Sequence, residues 1–178
     1  MPVKEGDNIT LKKDTPLKEA LELGGDCDKC GKCCSFGSGF MLESEVAKIA
    51  GFLKIPTDKF RKDFLEETEI FHTTLFKIRP MKKDGKPYGP CLLLENNMCR
   101  IHKVKPLHCR IGNCSEHGDD LHVWFLLNYC LNVFDPESIR QYSSYLETGG
   151  RTLPGGKLEE VFPDKSKLKL ILNYERFR

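Results

Sequence analysis

The stretch CDKCGKCC at residues 27–34 places four cysteines in eight positions, and no other feature limits so strongly what this chain can fold into. Thiols this close together must be paired, coordinated or kept reduced. The chain has nine cysteines, an odd number, so a fully disulfide-bonded monomer is excluded. Its start, MPVKEGDNITLKKD, lacks the basic, apolar and small-residue succession of a secretory leader. The longest apolar run, VWFLLNYCLNVF at 123–134, falls short of the roughly 20 residues needed to cross a bilayer. We therefore expect a cytoplasmic protein without a membrane span. In a reducing compartment, cysteine at this density serves metal or redox chemistry.

Spacing sharpens that reading. Cys27, Cys30 and Cys33 stand three residues apart, a step that turns successive thiolates toward a common centre, as in C-x2-C-x2-C loops that ligate one iron–sulfur cluster. The fourth ligand of such a loop is remote, and Cys91, Cys99 or Cys109 can supply it. Zinc competes, because Cys27 and Cys30 followed by Gly31 also form a zinc-knuckle turn whose glycine frees backbone N–H groups to approach sulfur. Cys33 and Cys34 are adjacent, and in an extended chain adjacent side chains diverge, so the pair is not expected to bond each other or chelate one ion. Seven thiols, Cys27, Cys30, Cys33, Cys34, Cys91, Cys99 and Cys109, exceed one four-ligand site and suggest two metal centres. Cys114 and His102 are further candidate ligands. His108 and His117 are expected at the surface, and Cys130 is expected as a small buried hydrophobe. Lys29 and Lys32 favour thiolates, and the guanidinium of Arg110 either offsets a cluster's charge or pairs with a helix glutamate.

The same residues carry a family resemblance. CDKCGKCC followed by CLLLENNMCRIHKVKPLHCR resembles the CxxCxxCC cysteine-cluster family of YkgJ-like zinc- or iron-chelating domains, matching it at Cys27, Cys30, Gly31, Cys33, Cys34, Cys91, Leu94, Cys99, Ile101, Pro106, Cys109 and Arg110. The likeness spans roughly residues 26–112. It implies a cluster-binding protein of the iron–sulfur kind and, through a related cysteine cluster, an association with flagellin lysine N-methylases. Neither GSGF at 37–40 nor PGGK at 154–157 has the flanks of a nucleotide loop, and the radical-SAM cysteine spacing is absent. Enzymatic activity is thus not indicated by any motif.

The remaining sequence supplies a scaffold. Thr15 and Pro16 open a helix that ends near Gly24, just before the cysteine loop. Leu42, Val46, Ile49, Ala50 and Leu53 define an amphipathic helix, and Phe60, Phe64 and Leu65 a shorter one. TTLFKIRP, the turn KKDGKPYGP and CLLLENNMCRI read as strand, turn, strand, tight turn, strand, with Arg79, Lys82, Lys83 and Lys86 at a solvated hairpin tip. A buried helix is expected from Asp119 to Phe134. Asp135 and Pro136 open another, with Ile139, Tyr142, Tyr145 and Leu146 on one face, and SKLKLILNY alternates like an edge strand. This gives an α+β class: a small single domain over 1–178 with cysteine-rich loops, a short antiparallel hairpin or small sheet and several packed helices. Residues 26–112 form the metal-binding region and 113–178 a helical extension.

Charge adds little, since 28 basic against 26 acidic residues leave a net charge of +2, which argues neither for nor against nucleic acid. With the basic tip read as a solvated turn and Trp124 and its neighbouring phenylalanines as core, nucleic acid is not an expected partner. Three functions follow. The first is an iron–sulfur protein, with a [4Fe-4S] cluster, acting as a redox or accessory factor for a protein redox partner. The second is a zinc-organised interaction module, and the third a metal-dependent modifying enzyme of the methylase type.

Overall fold

The computed structural model describes residues 10–82, 85–86, 88–112 and 114–174. Helix α1 (Leu17–Gly24) turns its Ala20 face inward and hands the chain to the cysteine loop. Thr15 does not cap it. Pro16 takes that position, and the Thr15 hydroxyl oxygen accepts from Lys12 N at 2.9 Å instead. Strand β1 (Phe40–Met41) follows the loop, then helices α2 (Glu43–Leu53) and α3 (Thr57–Phe64). Val46 and Ile49 of α2 are fully buried, each contributing about 1.5–3 kcal/mol of burial free energy.

Strands β2 (Leu65–Ile70) and β3 (Thr73–Ile78) form an antiparallel hairpin, and β1 adds to the other edge of β3 to give the order β1-β3-β2. The sequence pattern placed Leu65 in a helix; it begins β2 instead. The expected pairing of TTLFKIRP with CLLLENNMCRI shrinks to a single bridge between Pro80 and Cys91, because the edges of β3 are already taken by β1 and β2. The tight turn is present: Asn96 and Asn97, at φ 48° and 62°, join β4 (Leu94–Glu95) to β5 (Met98–Cys99). Of the expected basic tip, Lys83 lies outside the described residues, Arg79 donates to the Leu65 carbonyl at 2.8 Å, and Lys86 sits over the Tyr88 ring.

Helix α4 (Leu107–Ile111) carries Cys109, and α5 (Gly118–Phe125) continues as one π-helical turn, Leu126–Cys130. The expected buried helix is therefore present but stops at Cys130, before Phe134, which is 93% exposed. In α6 (Pro136–Glu147) Asp135 caps by accepting from Glu137 N at 2.9 Å. After α7 (Leu158–Val161), the alternating SKLKLILNY is not a strand but helix α8 (Lys165–Leu172). Asp164 caps it, and Leu168 and Ile171, one turn apart, both pack on Ile139, a contact that helical spacing permits and an edge strand would not.

The molecule is an α+β fold with 47% helix and 12% strand. One core gathers α1, α4, α5 and α6 around Trp124, Phe125 and Tyr142; a second gathers α2, α3 and the sheet around Ile49, Phe60 and Leu93. Cys91 belongs to the second core, Leu107 and Ile111 of α4 to the first, and the cysteine segments lie where the two meet. Among the described residues no helix is long and apolar enough to cross a membrane.

Candidate metal centre

Four elements deliver thiols to one place. The loop after α1 is bent by Lys29 at φ 56° and Gly31 at φ 71°. Gly31 is fixed twice over, since a Cβ there would also stand 2.6 Å from Asn97 Oδ1 of the β4–β5 turn. Cys33 and Cys34 open a 3-10 turn, Cys33–Phe36, and the Cys34 carbonyl accepts from Cys91 N at 2.8 Å, joining the two cysteine segments directly. Cys99 ends β5, and Cys109 comes from α4.

The result is a cavity of about 340 Å³ whose wall includes Cys27, Cys30, Cys33, Cys34, Cys91, Cys99, Cys109 and Cys114. Eight of the nine cysteines thus face one chamber, and Cys114, a secondary candidate by sequence, is among them. Cys130 is buried elsewhere among Trp124, Leu126 and Tyr142, as expected of a small hydrophobe. Cys33 and Cys34 are both free thiols, as expected of an adjacent pair. A 3-10 turn rather than an extended chain nonetheless brings them within thiol–thiol hydrogen-bond reach.

Electrostatics separates the eight by depth. Burial pushes Cys34 and Cys109 up to about 12 and Cys91 up to about 11. Cys99 is raised too, again chiefly by burial. Cys34, Cys91, Cys99 and Cys109 are close enough that ionising one opposes ionising others of the set. Toward the mouth, the exposed Cys114 hydrogen-bonds Cys30 and is near Cys33. Among the described residues no three His, Cys, Asp or Glu side chains are already gathered to hold an ion.

The donor set nonetheless fits a thiolate-bound metal. Backbone N–H groups are directed at sulfur on three deep cysteines: Leu93 and Leu94 on Cys91, Ile101 on Cys99, and Gly39 on Cys109 at 3.3 Å. Each pulls its thiol down against burial, which is how hydrogen bonds stabilise sulfur once a cation has displaced the proton. His102 also borders the chamber, and its buried Nε2 has no hydrogen-bond partner within the protein, so a ligand or water in the chamber would satisfy it.

Sequence reasoning missed His108. Expected at the surface, it lies in the chamber wall, tilted against Phe40 and Phe125, with burial pulling it down to about 3. Its Nδ1 accepts from Phe40 N at 3.1 Å and its Nε2 lies 2.7 Å from His122 Nδ1. The neutral ring therefore carries its proton on Nε2 and donates it to His122. Residues 39 and 40 thereby grip the consecutive His108 and Cys109. The signal was available only as aromatic periodicity around Phe125, which does not reveal a partner 14 residues away. His117 stands 3.2 Å from Glu116, outside the chamber, and Arg110 borders a neighbouring cavity that Cys27 also lines.

A family model described as "CxxCxxCC: Putative zinc- or iron-chelating domain" matches residues 26–130, more than half of the chain. The chain belongs to the CxxCxxCC family. Its match runs past Gly112 through α5 to Cys130, so that Cys114 and His122 fall inside it. The family's description assigns metal chelation, zinc or iron, to the segment that builds the chamber. The chain is also similar to an uncharacterized protein of Methanocaldococcus jannaschii, 31% identical over 150 residues that cover 77% of this chain and 76% of that one. No solved structure matches.

Proposed function

We propose that the chamber holds an iron–sulfur cluster, of the [4Fe-4S] kind, and that the protein is a redox or accessory factor acting with a protein partner. The observation that carries this reading is the convergence of eight thiols on one cavity of about 340 Å³. A tetrahedral zinc ion uses four ligands, half of that number, whereas a polynuclear cluster fills space between thiolates as well as binding them. Cys34, Cys91, Cys99 and Cys109 would hold the cluster, with N–H groups of residues 39, 93, 94 and 101 on three of the sulfurs. Cys27, Cys30, Cys33 and Cys114 would form a second set at the mouth. When bound, the cluster supplies one-electron chemistry. The protein's own part is to bury one face of the site, fix its ligands on rigid elements and leave the mouth open toward a partner.

One observation favours the alternative of a zinc-organised interaction module: Gly31 at φ 71° after Cys27 and Cys30 gives the turn of a zinc knuckle. Anaerobic purification followed by absorption spectroscopy and assays of iron, sulfide and zinc separates the two. The cluster reading expects a brown protein with sulfide matching iron, lost in C34S and C109S and retained in C114S. A colourless protein containing zinc and no iron, after strict exclusion of oxygen, would sink it.

A further inference from the structure

Beside the thiol chamber is a second cavity of about 270 Å³, lined by Lys48, Lys103, Lys105 and Arg110 against one carboxylate, Asp26. The whole chain carries almost balanced charge, +2 from 54 ionised side chains, so this concentration is local and not a reflection of composition. The four cations come from three segments of the chain. Lys48 is on α2, Lys103 in the 3-10 turn His102–Val104, Lys105 just after that turn, and Arg110 on α4. Folding thus converges like charges around a concave surface, and the ion pairs among the described residues engage cations other than Lys48, Lys103 and Lys105.

We propose that this cavity binds a small multivalent oxyanion, a molecule carrying phosphate or carboxylate groups. Cations lining a concave, partly apolar pocket focus field toward its centre, and oxygen anions there receive charge-assisted hydrogen bonds from several directions. Leu21 and Val104 provide apolar wall. The volume lies just below the roughly 300–1,000 Å³ of sites for drug-sized ligands, which selects a compact ligand over a dinucleotide or a chain polymer. The two cavities share Gly25, Asp26, Cys27, His102 and Lys105 as lining. The oxyanion therefore sits directly beside the thiols, and His102, whose Nε2 lacks a partner in the protein, borders both. The site stands whichever metal occupies the chamber.

Titration calorimetry at low ionic strength tests this on the full-length protein as purified with its metal, using pyrophosphate as the phosphate probe and citrate as the carboxylate probe. Saturable binding of one probe molecule per chain is expected, weakening as sodium chloride is raised and falling about tenfold or more in the K48Q/K103Q double variant. Pyrophosphate binding alone identifies a phosphate ligand, and citrate binding alone a carboxylate. The double variant alters neither a cysteine nor a core residue, so its metal content and melting temperature should match the parent, which separates this site from the metal centre. No saturable heat with either probe, or superimposable isotherms for parent and double variant, overturns the proposal.

Discussion

Replacing Gly39 with alanine should perturb the proposed metal centre while leaving every cysteine in place. A Cβ at this position would lie 2.5 Å from His108 Nδ1, 2.8 Å from Cys109 Sγ and 3.2 Å from Cys109 N. None of these atoms is the free end of a flexible chain. His108 is held by Phe40 N, by His122 at 2.7 Å and between the Phe40 and Phe125 rings, while Cys109 belongs to α4, whose Leu107 and Ile111 are buried. Relief therefore requires α4 to move away from β1, breaking the 3.3 Å bond from Gly39 N–H to the Cys109 sulfur. Overpacking of this kind costs about 1–3 kcal/mol, and for a chain of this length each kcal/mol lowers Tm by about 2–4 °C, so a fall of about 2–12 °C is expected. Metal content should drop with it, since Cys109 is withdrawn from the other deep thiols. Gly51 is the control, because its Cβ meets nothing within 4 Å on α2 and alanine there should stabilise by about 0.5–1 kcal/mol. Anaerobic metal analysis and thermal melts decide the matter. If G39A keeps the parent's Tm and metal load, the grip of residues 39 and 40 on α4 has no functional weight.

Two further outcomes follow from the thiol environments. Burial alone pushes Cys130 from its ordinary 9.0 up to about 12, so its neutral form supports the fold below about pH 9 and that support is lost as pH rises through about 12; in urea melts near pH 11 the parent should lose about 2–3 kcal/mol more than C130A does relative to pH 7, and equal losses would refute the assignment. Metal uptake should have the opposite sign in acid: Cys34, Cys91 and Cys109 are protonated at neutral pH, and each proton displaced on binding weakens apparent affinity about tenfold per unit fall in pH, which a chelator competition at several pH values measures directly.

The two hairpins show what was legible in the sequence and what was not. Asn96-Asn97 announces a tight turn because asparagine tolerates positive φ, and the turn is there. Phe71 and His72 adopt nearly the same backbone, at φ 49° and 60°, with residues that carry no such preference. Tertiary contacts impose it. Phe71 packs edge-on against Tyr142 and Tyr145 at 5.2 and 5.3 Å, His72 N donates to Gln141, and the His72 ring meets Asp135 at 2.6 Å. These partners lie more than 60 residues away, beyond any local pattern, so the β2–β3 hairpin was invisible. The same distinction holds at the site. Cysteine spacing identified seven chamber residues and kept Cys114 as a candidate, because clustered cysteines announce themselves by type. His108 and Gly39 position Cys109 through contacts 68 and 70 residues away, and neither residue type is diagnostic. SKLKLILNY failed for another reason: its leucines fit both periods, and only the Asp164 cap and the contact with Ile139 favour helix.

The backbone bond from Cys91 to Cys34 closes the chamber across roughly sixty residues of intervening chain, and synthesis at about 5–20 residues per second separates the two segments by about 3–12 s. During that interval the amino-terminal thiols are out in solution without the donors of the second segment. They form half of a binding wall, exposed to oxidation and to stray cations. Any cell that makes this protein must either deliver the metal after Cys109 and Cys114 have emerged, or escort four crowded thiols until they do. Assembly of the centre is consequently a matter of timing as much as of affinity.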